Sequence, residues 1–159
     1  MAFVEKTTGF TESSLAFTLG TFLRIFLTGK RLGTVTGPDG MMRLSRGQVR
    51  IPDVAFVSWD QFPNRQLPRE PIPGVFPDLA VEVLSASNTP QEMARKRRDY
   101  FTAGTRLVWE VDPRERTVAV YTAPEQFTLL HEQDTLDGGT VLPGFTLPLR
   151  QLFAELDPQ

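Results

Sequence analysis

The first hydrophobic pattern along the chain has the spacing of a helix. Between Ser13 and Gly29, apolar side chains recur at intervals of three and four residues: Leu15, Leu19, Phe22, Ile25 and Phe26. This spacing predicts an amphipathic helix that is capped by Ser13 or Ser14 and ended by Gly29. Residues 1–12 show no such period, so we expect a mobile N-terminal extension followed by a single domain over residues 13–159.

The later segments alternate between strand and helix patterns. The apolar run over residues 79–84 predicts a central strand covered on both sides. A second helix is predicted from Pro90 to Ala103, ended by Gly104. Further strands are predicted over residues 41–45, 49–58, 107–112, 117–121, 127–131 and 144–147, and a short closing helix over residues 149–156. Five prolines make residues 62–77 a rigid loop. The order of elements predicts one α+β domain.

The composition of the 159-residue chain excludes several classes of protein. It contains no cysteine, which excludes disulfide scaffolds, zinc ribbons and cysteine nucleophiles and favours a reducing, cytoplasmic location. The longest apolar stretch, residues 15–27, is shorter than the roughly 20 residues of a membrane span, so we expect no membrane association. The single histidine, His131, lies outside any nucleophile-elbow sequence, and no phosphate-binding glycine loop is present.

The net charge of −2 hides an uneven distribution along the chain. Residues 1–109 carry 14 basic and 10 acidic side chains, whereas residues 110–159 carry 3 and 9. Of the 17 basic residues 14 are arginine, whose planar fork suits phosphate. The first part of the chain therefore fits an anionic partner such as nucleic acid.

Two carboxylates interrupt apolar segments. Asp53 continues the alternation of Ala55 and Val57, which predicts that it points inward, and Glu82 lies within the apolar central strand. A buried, ionised carboxylate is costly unless a cation or hydrogen-bond donors compensate it. If the two strands are neighbours, the two carboxylates converge on one hard cation, for which Mg²⁺ is best suited and Mn²⁺ is an alternative.

Cationic side chains follow in the second predicted helix. Lys96 lies beside its apolar stripe, from where the ammonium group would reach the strand end that carries Glu82. Two groups of arginines predict a surface for an anionic substrate, namely Arg43, Arg46 and Arg50 on the meander and Arg95, Arg97 and Arg98 on the helix.

Each of these residues also has a purely structural explanation. Glu82 would then pair with an arginine such as Arg106, and Asp53 would belong to a Pro-Asp turn. Lys96 would pair with Glu92, four residues earlier, on a solvated helix face. The residue pattern alone leaves both explanations open.

Several short motifs occur in a fixed order along the chain. They are Pro52-Asp53, residues 77–88 (PDLAVEVLSASN), Lys96, Tyr100, Gly104, Trp109, Val111-Asp112-Pro113 and residues 142–145 (LPGF). Over about residues 33–153, this order resembles the Uma-type restriction endonuclease family of the PD-(D/E)xK nuclease superfamily.

The resemblance implies a fold, a site and an activity. The implied fold is a restriction-endonuclease-like mixed β-sheet flanked by helices, with a C-terminal β-hairpin extension. Asp53, Glu82 and the backbone carbonyl of Val83 are implied to bind Mg²⁺, and Lys96 would replace the superfamily lysine, whose position is held here by Leu84. The implied activity is metal-dependent hydrolysis of phosphodiester bonds, foremost in DNA. Because cleavage of a duplex needs two cuts, which twofold symmetry provides, we also expect a homodimer.

A second interpretation follows from the N-terminal part of the chain. Members of the family carry an acidic residue in a segment ahead of the first helix, whereas few residues precede Ser13 here. The chain would then be a catalytically inactive module that keeps the nuclease fold for binding or assembly. Metal binding that depends on Asp53 and Glu82 distinguishes the two interpretations.

Overall fold

The structure is a computed structural model that describes residues 9–159. This range contains three α-helices and ten strands. The helices are α1 (Phe10–Leu27), α2 (Pro90–Ala103) and α3 (Leu149–Phe153). The strands are β1 (Gly33–Thr36), β2 (Met42–Ser45), β3 (Gln48–Arg50), β4 (Val54–Ser58), β5 (Leu79–Val83), β6 (Leu107–Asp112), β7 (Thr117–Ala123), β8 (Gln126–Leu130), β9 (Thr135–Asp137) and β10 (Thr146–Pro148).

Six strands form a central sheet in the order β1-β4-β5-β6-β7-β8. Strands β5 and β6 run parallel, and the other neighbouring pairs in this sheet are antiparallel. A parallel pair needs a crossover connection, which α2 provides. Strands β2 and β3 form one small antiparallel pair, and β9 and β10 form another. The predicted α+β fold, with a mixed sheet flanked by helices, is confirmed.

Each face of the sheet is covered by a different helix. On one face, α1 packs against β1, β4, β5 and the C-terminal helix α3 through a buried leucine stripe: Leu15, Leu19, Leu23 and Leu27. On the other face, α2 covers β5 and β6 through Tyr100, and the β2–β3 pair covers β4. Because side chains alternate along a strand, Ala80 and Glu82 of β5 face α2.

Helix α1 begins earlier than the sequence pattern predicts. It starts at Phe10 with Gly9 as its N-cap, so Ser13 and Ser14 lie within the helix and do not cap it. The hydroxyl of Ser14 instead donates to the carboxylate of Glu155, in the C-terminal segment. Of the predicted mobile extension, residues 1–8 lie outside the described residues and residues 10–12 belong to α1.

The strand predicted over residues 49–58 is interrupted. Residues 51–53 separate β3 from β4, and Pro52, which has no N–H to donate to a ladder, lies at the break. Strands β1 and β9 were not predicted, because each is short and has too few apolar positions to show a period. Residues 62–77 are all described and form no α-helix or strand, as the five prolines predict.

Helix α2 has well-defined ends. The hydroxyl of Thr89 accepts from the backbone N–H of Glu92, and the Glu92 carboxylate accepts from the N–H of Thr89 in return, which forms a capping box ahead of Pro90. At the other end, Gly104 has a φ of 125°, where an added Cβ would lie 2.9 Å from the ring of Phe76. Both ends of α2 are therefore fixed by local contacts.

No helix within residues 9–159 combines the length and apolar character that a membrane span requires.

We predict that Thr89→Ala lowers the free energy of unfolding by about 1 kcal/mol, because the N-terminal N–H groups of α2 lose their acceptor. Urea denaturation measures the change. Thr89→Ser is the matched control, since it keeps the hydroxyl oxygen and should lose less than half as much. Equal losses in the two variants would show that the capping oxygen does not stabilise α2.

Candidate functional site

Asp53 lies directly before β4, and Glu82 lies in the neighbouring strand β5. Val54, the residue after Asp53, pairs with Val81, the residue before Glu82. Oδ2 of Asp53 accepts a hydrogen bond of 2.7 Å from the backbone N–H of Val83. The two segments therefore meet, and the shared metal site of Asp53 and Glu82 stays a prediction.

Glu82 is compensated from α2. Its side chain is buried, and the hydroxyl of Tyr100 donates to its Oε2 at 2.7 Å. The ammonium nitrogen of Lys96 lies 3.5 Å from its Oε1. A hydrogen bond and a positive charge both favour the ionised carboxylate, and together they offset its loss of hydration.

Lys96 belongs to the buried side of α2. Met93, Lys96 and Tyr100 are the buried residues of this helix, and Lys96 is only 8% exposed. The alternative of a solvated Lys96 is therefore wrong: the side chain is part of the packed stripe and not beside it. Glu92, the proposed partner in that alternative, belongs to the capping box at the start of α2.

Arg106 does not compensate Glu82. Its Nη2 lies 3.6 Å from Oδ1 of Asp78, a second buried carboxylate at the start of β5. Oδ2 of Asp78 also accepts from the backbone N–H of Ser58 and from the side-chain amide of Gln61. Asp78 thus fastens the start of β5 to the end of β4, and the expected pair of Arg106 with Glu82 is wrong.

A third carboxylate, Glu110, lies next to Glu82 in the sheet. It pairs in register with Glu82 across the parallel strands β5 and β6, and it is 6% exposed. Burial raises the pKa of Glu110 above its usual value of 4.5, while the hydrogen bond and charge of Arg97 and the charge of Lys96 lower it. The sequence pattern did not single out Glu110, because alternate polar residues are common in a strand with one exposed face.

Arg97 compensates Glu110. Its Nη1 lies 2.6 Å from Oε2 of Glu110, its Nε donates to the carbonyl of Pro124, and its guanidinium lies 4.2 Å above the ring of Tyr121. Two consecutive residues of α2 thus pair with two neighbouring carboxylates, Lys96 with Glu82 and Arg97 with Glu110. The positive charges of Lys96 and Arg97 offset the repulsion between these two adjacent buried carboxylates.

The six arginines proposed for nucleic-acid binding fall into two groups. Arg43, Arg46, Arg95 and Arg98 are exposed. Arg50 and Arg97 are partly buried and pair with carboxylates of the chain, Arg50 with Asp99 at 2.6 Å and Arg97 with Glu110. The contact of all six with nucleic acid stays a prediction, and the exposed four are the members that reach solvent.

The donor set suits a partly hydrated cation. Among the described residues, no three His, Cys, Asp or Glu side chains form a group that could hold a metal ion. Two carboxylates on neighbouring segments remain, Asp53 before β4 and Glu82 in β5, and the backbone N–H of Val83 donates to Asp53. Mg²⁺ is commonly bound by one or two carboxylates and keeps several waters, so these oxygens fit it better than a metal that needs a closed protein cage.

Comparison with known proteins identifies the family. Residues 2–150 match the family Uma2, described as a putative restriction endonuclease. The chain belongs to this family. No curated protein matches the chain.

A solved structure has the same fold as this Uma2 protein. The crystal structure of a putative nuclease belonging to DUF820 from Anabaena variabilis superimposes with a TM-score of 0.84 at 17% identity, over 98% of this chain and 87% of that one. At this identity the similarity shows the fold alone. Membership of the Uma2 family and this fold together support a nuclease-like function and binding of nucleic acid.

We predict that the stability of Arg97→Met depends on pH through Glu110. Without Arg97, the pKa of Glu110 rises further above 4.5. The native state then keeps a proton that the unfolded chain has released, so the free energy of unfolding falls as pH rises above this value. We expect a loss of about 3–5 kcal/mol at pH 8 relative to wild type and a smaller loss at pH 5. Urea denaturation at the two pH values measures both.

The matched control is the double variant Arg97→Met/Glu110→Leu. It removes the carboxylate together with its partner, so most of the stability should return and the additional pH dependence should vanish. A double variant that is as unstable and as pH-dependent as Arg97→Met would assign the effect to another group.

Proposed function

We propose that this Uma2 protein is a metal-dependent endonuclease that hydrolyses phosphodiester bonds, foremost in DNA. Asp53, Glu82 and the carbonyl of Val83 would bind Mg²⁺ or Mn²⁺, and Lys96 would act on the reacting phosphate. The observation that carries the proposal is the buried Glu82, which contacts Lys96 and Tyr100, with Asp53 hydrogen-bonded to the backbone N–H of the next residue, Val83.

The burial of Glu82 supports this role. An apolar residue in the middle of a sheet packs as well as a carboxylate. Replacing a buried ion pair by apolar residues is often neutral or stabilising, so stability alone does not explain a carboxylate at this position. Glu82 and Lys96 are respectively 5% and 8% exposed. A buried charged pair of this kind is a candidate for chemistry rather than for stability.

Each side chain of the site has a defined task in the proposed reaction. Asp53 and Glu82 would hold a Mg²⁺ ion, which would supply Lewis-acid chemistry for the scissile phosphate and for a water molecule. Tyr100 fixes the orientation of Glu82 by donating to Oε2. Lys96, whose ammonium lies 3.5 Å from Oε1, orients the attacking water or stabilises the negative charge that develops on the phosphate.

We predict that Asp53→Asn and Glu82→Gln each lower the rate of Mg²⁺-dependent plasmid cleavage by about a hundredfold or more, since each removes a charged oxygen ligand. Gel analysis of supercoiled, nicked and linear plasmid measures the rate. Glu70→Gln is the matched control, because Glu70 is an exposed carboxylate of the proline-rich loop and should leave the rate unchanged. A wild-type protein that leaves DNA and RNA intact with both Mg²⁺ and Mn²⁺ would contradict the proposal.

We predict that Tyr100→Phe weakens Mn²⁺ binding by about tenfold, because Glu82 loses the hydrogen bond that orients it. Isothermal titration calorimetry measures the dissociation constant. Tyr121→Phe is the control: Tyr121 is also buried on the α2 face, and its ring lies beneath Arg97 and not at Glu82. An equal effect of both variants would mean that the hydrogen bond from Tyr100 to Glu82 is not what the metal site depends on.

The catalytically inactive binding or assembly module is the second candidate. The observation in its favour is the lack, within residues 9–159, of a third metal-binding side chain near Asp53 and Glu82. Calorimetry separates the candidates: metal binding that Asp53→Asn and Glu82→Gln abolish supports the nuclease, and its absence from the wild-type protein supports the module.

The assembly and the location of the protein stay predictions. A homodimer would suit cleavage of a duplex, because two cuts related by twofold symmetry need two sites. The cytoplasmic location is inferred from the absence of cysteine in the sequence.

A further inference from the structure

A cleft with mainly apolar walls lies between α1 and β1, and Asp53 of the candidate site is among the residues that line it. Its volume is about 440 Å³, within the range of small-ligand pockets. Phe17 and Ile25 of α1 form part of one wall, Val35 and Pro38 form part of the other, and Asp53 lies in the lining. Asp53 is therefore the proposed metal ligand that the cleft and the candidate site share.

The α1 wall presents large apolar side chains to solvent. Phe17 is 69% exposed and Ile25 is 65% exposed, although both lie on a helix whose opposite side is fully buried. Phe17 offers an aromatic ring to the cleft, and Gly20, one turn further along α1, lines it without a side chain. An exposed ring beside a pocket of this size suits the stacking of a planar ligand.

The charges of the cleft do not suit a phosphate. Among the described residues that line it, Arg24 is the only cation. Its Nη2 already donates to the backbone carbonyl of Val35 at 2.5 Å. The sugar–phosphate backbone would therefore lie outside the cleft, along the side of Asp53 where the metal ion is proposed.

We infer that this cleft binds an unpaired nucleobase next to the scissile phosphate, with Phe17 as the stacking surface. The inference rests on the proposed function, since a phosphodiester held at Asp53 and Glu82 carries one flat, largely apolar group in reach, which is its nucleobase. A base inside the cleft cannot pair or stack within a duplex. The substrate class is thus a single strand, a frayed end or a base turned out of its helix.

Fluorescence anisotropy with a short labelled DNA strand tests the inference, with Ca²⁺ in place of Mg²⁺ so that the strand is bound and not cut. We expect Phe17→Ala to weaken binding of the single strand by about 5- to 150-fold, the usual effect of losing one base–aromatic stack. Phe17→Trp should keep wild-type affinity, which also shows that position 17 tolerates substitution. Phe127→Ala, at an exposed aromatic residue of the distant edge strand β8, should change affinity less than twofold.

Two further probes identify the group in the cleft. An abasic site is placed at each position of the strand in turn. For one position, the wild-type protein should bind the abasic strand as weakly as Phe17→Ala binds the intact strand. At that position Phe17→Ala should bind the abasic strand no more weakly than the wild-type protein does. The matched duplex should bind more weakly, and Phe17→Ala should change its affinity less than twofold. An equal effect of Phe17→Ala on every abasic strand would overturn the inference.

The remaining outcomes separate this inference from the proposed nuclease activity. Cleavage that depends on Asp53 and Glu82, with no effect of Phe17→Ala on binding, would overturn the nucleobase cleft and keep the nuclease. Binding of the single strand that depends on Phe17, without any cleavage, would keep the cleft and overturn the nuclease. A self-association that Phe17→Ala abolishes in light scattering would assign the cleft to a second copy of the chain and overturn the inference.

Discussion

The compensation of Glu82 is the constraint on which the rest of the site depends. A carboxylate at the centre of a sheet can stay ionised only if positive charge and hydrogen-bond donors meet it there. Both come from one helix, through Lys96 and Tyr100 four residues apart. The position and the rotation of α2 are therefore fixed by the sheet residue that it covers, and its capping box and Gly104 hold it in that position.

The core of the site could be predicted because its signal is local. One acidic residue in an apolar strand identifies Glu82 from the sequence alone, and Asp53 follows from the same reasoning. The partner of Glu82 is less accessible: Lys96 is one of several cations in a short segment, and only its place in the helical period separates it from Arg95 and Arg97. The role of Tyr100 at Glu82 depends on the approach of α2 to β5, which no spacing in the sequence specifies.

Other residues could not be assigned because burial is a property of the whole fold. Glu110 alternates with apolar residues as a half-exposed strand residue would, and it is buried only because α2 crosses it. A cluster of arginines likewise gives no indication of which members reach solvent. Arg50 and Arg97 pair with carboxylates of the chain. Part of the positive charge of the first 109 residues is therefore neutralised within the protein and adds little to the electrostatic potential at the surface.

The direction of two strands has a consequence for how the site is assembled. Strands β5 and β6 are the parallel neighbours in an otherwise antiparallel sheet, and a two-residue hairpin cannot join parallel strands. The chain has to leave the sheet, cross one face and return, and the helix made on this path is the element that carries Lys96. A single β–α–β unit, Leu79 to Asp112, therefore contains an anion, its cation and the scaffold that joins them. Most of the site therefore lies in one contiguous piece of sequence, to which the segment before β4 adds Asp53.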